Sequence, residues 1–170
     1  MTNGRAARTG PPSPSADLRR QLREQLGAVR RITGSQRLER TIAVRSGTTI
    51  GIAAVAVLGK VIDDGPLRMS DLADAVRMHP AALTRQVQTL EAEGLVERSA
   101  DPQDGRASVV AVTTAGRSVH RRIEAAQDAV MVEQLADWSD EDLGDLVASL
   151  DRLVADLRAV PGTQQSRAAG

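Results

Sequence analysis

The sequence predicts a mainly α-helical chain of the α+β class, and three observations carry that expectation. Apolar residues recur at helical spacing through most of the 170 residues. Only the stretch from Leu95 to Val112 turns to strand-like runs, set around a cluster of turn formers. Aromatic rings are nearly absent, with one Trp and no Phe or Tyr, so the core must be aliphatic. The length suits one domain of ordinary size, and 41% hydrophobic content is enough for a core.

The first 16 residues are rich in Gly, Pro, Ser, Thr and Ala and predict a disordered tail. Residues 17–47 form a first helical segment, as one long helix or two. Leu18, Leu22, Leu26, Val29 and Ile32 make its apolar stripe, Gly34-Ser35 interrupts it, and Leu38 and Ile42 resume it. After a break at Ser46-Gly47-Thr48, Thr48 or Thr49 can cap a helix that is apolar over a wide arc, from Ile50 to Ile62. Asp63-Asp64-Gly65-Pro66 ends it.

Ser70 to Gly116 organises the rest. Ser70 is a suitable N-cap for a helix over 71–77, and Asp71 and Asp74 add negative charge in its first turn. Met78 and His79 make a turn, and Pro80 opens a second helix, where its missing N–H costs nothing. Leu83, Val87 and Leu90 mark the buried face of that helix, and Gly94 closes it. Arg85 points away from the buried stripe, flanked by Ala81 and Gln88, with Thr89 and Ala82 beyond and Thr84 at the side. A small, polar face with a cation suits entry into the major groove of DNA, where Arg pairs with guanine and Gln with adenine. The same face also suits plain hydration.

Two strands, Leu95–Arg98 and Ser108–Val112, flank the turn Asp101-Pro-Gln-Asp-Gly105, and Arg106 sits at its tip beside Asp104. Leu67-Arg68-Met69 can supply a short third strand. A helix-turn-helix followed by a hairpin is a winged helix. The tip Arg106 would reach the adjacent minor groove, while Asp104 could hold it by an exposed ion pair worth little by itself.

This region resembles the MarR family of transcription regulators (multiple antibiotic resistance regulators). The resemblance lies in LADAV at 72–76, LTRQVQTLEAEGLVER at 83–98, DPQDGRA at 101–107 and VTTAG at 112–116. The family's wing pattern, Asp-x-Arg followed by a Leu-Thr-x-x-Gly-like run, falls on Asp104, Arg106 and residues 112–116, with Val112 in place of the Leu. The resemblance implies a homodimer on double-stranded DNA at a pseudo-palindromic operator, repressing or activating nearby genes. It also implies release by a small-molecule effector, with a pocket where the helices at 17–45 and 48–62 meet the DNA-binding lobe. Without Phe or Tyr, such a pocket would be lined by aliphatic side chains, Arg and Trp138, favouring a lipophilic or anionic ligand.

The expected layout is therefore a winged helix lobe over 48–114 and a helical dimerisation lobe from 17–47 and 115–160, with a second tail at 161–170. Thr113 can cap the helix carrying Val119, Ile123, Ala126 and Val130, with Arg117, Arg121 and Arg122 at its start. Ser139 and Asp142 form a capping-box-like pair, and Trp138 with Leu143 a hydrophobic staple, before an apolar stripe from Leu143 to Leu157. Net charge is zero but polarised: residues 1–45 carry +7 and residues 123–170 carry −7.

No enzyme, cofactor or metal site is expected. Cys is absent, and His79 and His120 are far apart without acids at ligand spacing. No apolar run approaches a bilayer span and no signal segment is evident, so a cytoplasmic protein without membrane contact is expected. Two alternatives stay open: a winged helix that contacts proteins, and a DNA-binding regulator without a ligand.

Overall fold

The computed structural model describes residues 15–105 and 107–159. The chain divides into two compact units, 1–127 and 128–170. Apart from Ser15 and Ala16, the expected tails at 1–16 and 161–170 lie outside the described residues, as does Arg106. The described elements are α1 (Ala16–Thr33), α2 (Gln36–Ser46), α3 (Ile52–Asp64), β1 (Leu67–Arg68), α4 (Met69–Ala75), α5 (Pro80–Ala92), β2 (Val96–Ala100), β3 (Ser108–Val112), α6 (Thr114–Gln134) and α7 (Asp140–Ala159).

The 17–45 segment is two helices. Ser15 caps α1 and Ser35 caps α2, each hydroxyl accepting from the N–H three residues on. Helix α3 starts later than its threonines suggested: Gly51 is the N-cap and offers no side chain. The Ile52 N–H is taken instead by the Glu39 carboxylate of α2, at 3.1 Å. A distant side chain thus replaces the local cap, which no sequence spacing announces.

Ser70 is not the N-cap of the next helix. Helix α4 begins at Met69 with Arg68 as its cap, because the chain turns helical directly out of β1. Ser70 therefore lies inside the first turn, where its hydroxyl bonds Asp71 at 3.2 Å. Strand β2 runs over 96–100 rather than 95–98, since the Leu95 N–H closes α5 by bonding the Leu90 carbonyl.

The three strands form one antiparallel sheet in the order β1-β3-β2. Leu67 faces Val110, and the β2–β3 register runs from Val96 opposite Val112 to Ala100 opposite Ser108. The core lies among α3, α4, α5 and the sheet. Val57, Leu58, Val61, Leu72, Leu83, Val87, Leu90 and Val110 are fully buried in it, with Ile123 of α6 against them. Burying each such side chain stabilises the fold by roughly 1.5–3 kcal/mol. In the second unit, Ser139 and Asp142 form the reciprocal cap of α7, with hydroxyl to carboxylate at 2.6 Å and Asp142 N–H to hydroxyl at 3.1 Å. Trp138 precedes it and is 47% exposed.

Candidate nucleic-acid interface

Helix α5 is held from one side only. Leu83, Val87 and Leu90 recur at intervals of four and three and are wholly buried against the core. That fixes the opposite face outward, where Ala81, Arg85, Gln88 and Thr89 are exposed and Ala82 and Thr84 half-buried. The Thr84 hydroxyl donates to the Pro80 carbonyl (2.9 Å) and the Thr89 hydroxyl to the Arg85 carbonyl (3.0 Å). Both hydroxyls keep acceptor lone pairs for a ligand. The Arg85 guanidinium has no ion-pair partner among the described residues. Glu91, the nearest acid on the helix, is engaged by Arg98 of β2 through Nη2 (2.7 Å) and Nε (3.3 Å). This pair joins the end of α5 to the wing and offsets negative charge beside the exposed face.

The turn before α5 is strained. Arg77 takes φ of 53°, the left-handed region that a side chain disfavours by roughly 1–2 kcal/mol. The turn holds because the Met78 N–H bonds the Ala73 carbonyl (3.0 Å) and Met78 packs on the core. His79 then caps α5, its Nδ1 accepting from the Ala81 N–H at 3.3 Å.

The wing is built on Asp101, whose part sequence reasoning missed. Its side chain is 7% exposed and accepts from the Gln103 N–H (2.7 Å), the Asp104 N–H (3.4 Å) and Arg68 Nε of β1 (2.5 Å). The Gln103 N–H and then the Arg68 guanidinium hold this carboxyl below the ordinary carboxylate range, and Arg68 is raised in turn by its bond to Asp101. The wing tip is thereby tied to the strand that leads into α4. The sequence marked Asp101 only as a turn former, because its partner lies 33 residues away. Asp104 is exposed, and its carbonyl accepts from the Ala107 N–H at 2.8 Å.

The run 112–116 is the wing's root. The Thr113 N–H bonds the Leu95 carbonyl (3.1 Å), its hydroxyl donates to the Gly94 carbonyl (2.7 Å), and the Gly116 N–H bonds that hydroxyl (3.0 Å). A Cβ on Gly116 would lie 2.1 Å from the Leu95 carbonyl oxygen, so no other residue fits. Gly94 itself takes φ of +67° as the chain leaves α5. Arg117, Arg121 and Arg122 stand exposed on α6.

A second feature lies behind the helix-turn-helix. A small cleft of about 40 Å³, partly open to solvent, lies among α2, the 47–51 connection, α3 and α6. It is lined chiefly by Ile42, Ile50, Ile52, Val55 and Ile123, with Glu39 as its charged group; neither Arg nor Trp138 contributes. Among the described residues no cluster of His, Cys, Asp or Glu could hold a metal, and no helix is long and apolar enough to cross a membrane.

Two helices joined by a tight turn, a three-stranded sheet and a hairpin wing define a winged helix-turn-helix protein. The MarR family model matches residues 52–108. A Thauera aromatica protein described as a transcriptional regulatory protein for the hcr operon is 31% identical over 123 residues, covering 72% of each chain. The chain belongs to the MarR family. Its fold is similar to that of a MarR family protein from Bacillus stearothermophilus (19% identity, TM-score 0.72, covering 86% of this chain and 99% of that one). It is also similar to a MarR family transcriptional regulator from Streptomyces coelicolor solved in complex with DNA (21% identity, TM-score 0.63, covering 90% and 94%).

Proposed function

We propose that this protein is a sequence-specific DNA-binding transcriptional regulator that acts as a homodimer on a pseudo-palindromic operator, as a repressor released by a small molecule. The observation that carries the reading is the exposed face of α5, where the Arg85 guanidinium, without an ion-pair partner among the described residues, and the Gln88 amide project from a helix locked on its other side. Each subunit inserts α5 into a major groove, at half-sites about one helical turn apart. Arg85 and Gln88 read base edges, while Ala81, Ala82, Thr84 and Thr89 let the backbone approach. The wing carries Asp104 and Arg106 toward the adjacent minor groove, and Arg117 is the first of the α6 cations available to phosphate. The effector binds near the junction of α2 and α3 with the winged lobe.

In vitro selection from random duplex DNA tests this, with wild type and Arg106→Ala in parallel. A palindromic site should emerge, bound more weakly by the variant and with affinity falling steeply as salt rises. No enriched site, with weak binding even at low salt, would refute the reading and favour a winged helix that contacts protein.

A further inference from the structure

We propose that Arg77, the left-handed residue in the turn between α4 and α5, binds a DNA phosphate at the edge of the major groove. This rests on the reading of α5 as the helix that enters the groove. In a docked helix-turn-helix the first helix crosses the sugar–phosphate backbone, while the start of the second reaches base edges. The turn that joins them therefore lies against a phosphate strand. A helix start commonly meets an anion with its free N–H groups. The first turn of α5 has none to offer. Pro80 lacks the group, and the Ala81 N–H is bound to His79 Nδ1 at 3.3 Å. The Ala82 and Leu83 N–H groups go to the His79 carbonyl, at 2.8 and 3.0 Å. A phosphate at this end has to be met by a side chain.

Cationic side chains are scarce there. Helix α4 carries exposed Asp71 and Asp74 and neither Arg nor Lys, so by itself it repels a phosphate strand. Arg68 is committed to Asp101. Arg77 is the only Arg or Lys between Arg68 and Arg85. It is exposed, and it has no ion-pair partner among the described residues. Its backbone is strained at φ of 53°, a conformation that glycine takes freely. No ion pair within the described lobe offsets that strain, whereas a phosphate outside the lobe can.

The experiment measures affinity of the full chain for the selected operator, and for a scrambled duplex of equal length, over a range of salt. Arg77→Gly should leave urea stability unchanged or slightly raised. It should weaken binding to both duplexes by a similar factor, about 10-fold near 0.1 M salt. The slope of log affinity against log salt should become shallower by about one per subunit. Arg77→Gln, which keeps the strain and loses the charge, should show the same slope, and Arg77→Lys should restore that of wild type. Unchanged affinity and slope in Arg77→Gly and Arg77→Gln would overturn the proposal and leave the DNA reading standing. So would a loss confined to one operator base pair, which would mean a base contact instead. A fall in stability and affinity with the wild-type slope kept would make the role structural and also overturn it. Wild type that binds neither duplex, even at low salt, would overturn both this inference and the reading beneath it.

Discussion

Leu83, Val87 and Leu90 on α5 are completely buried, whereas Leu18, Leu22, Leu26, Val29 and Ile32 on α1 are 40–61% exposed. Helix α7 resembles α1, with Leu146, Val147, Leu150, Val154 and Leu157 all exposed. The three helices have similar amphipathic sequences, and only one finds its partner within its own unit. A winged lobe that closes its own core can hold a reading face rigid. Helices with open apolar stripes are left to be covered by something else, and in the proposed dimer that is a second copy. The charge polarity suits such a dimer, since residues 1–45 carry +7 and residues 123–170 carry −7, and opposite charges attract.

The contrast can be broken most severely at the wing root. Gly116→Ala forces a Cβ into the Leu95 carbonyl and should destabilise the lobe by about 3 kcal/mol. Urea unfolding followed by far-UV circular dichroism measures it, and an unchanged midpoint would contradict the packing described. Leu22→Glu combined with Leu150→Glu should act on the other region alone. Sedimentation should show a dimer constant weakened about 100-fold or more, about 2.7 kcal/mol, with the winged lobe still folded. Arg85→Ala should cost about 1–3 kcal/mol of operator affinity and relax preference at one base pair. Uniform loss across all operator variants would mean that Arg85 touches phosphate instead.

Asp101 gives a pH-dependent prediction. Its carboxyl is depressed in the folded wing, so its contribution is present above the unfolded value near 4 and is lost as pH falls through the lower folded value. The amide signals of Gln103 and Asp104 should stay fixed through neutral pH and move only in acid. Asp101→Asn should remove that acid step. The smallest effect is expected at Arg77: Arg77→Gly relieves the left-handed strain but frees the unfolded chain, for a net gain under about 1 kcal/mol. A loss of stability there would show that the Arg77 stem packs on the lobe.

Local periodicity made most of the fold legible. The Leu83–Val87–Leu90 spacing and the turn at Asp101 to Gly105 lead to the observed α5 and hairpin without reference to anything distant. The candidate reading face followed, because burying one side of a helix determines what the other side shows. Three features escaped for one shared reason. The Glu39 bond to Ile52, the Arg68–Asp101 pair and the Arg98–Glu91 pair join residues that only tertiary packing brings together. The misplaced caps at Ser70 and at Thr48 or Thr49 have the same origin, since a favourable local residue was overruled by a strand exit in one case and a distant carboxylate in the other.

The near-absence of rings has an optical consequence. Trp138 is the only tryptophan, and the chain has neither tyrosine nor phenylalanine. All intrinsic fluorescence and all aromatic near-ultraviolet dichroism therefore arise from one half-open side chain at the threshold of α7. The winged lobe, from Ile52 to Val112, is dark at those wavelengths. A shift in emission reports on the surroundings of α7, and a tryptophan introduced in the lobe would be seen against Trp138 alone.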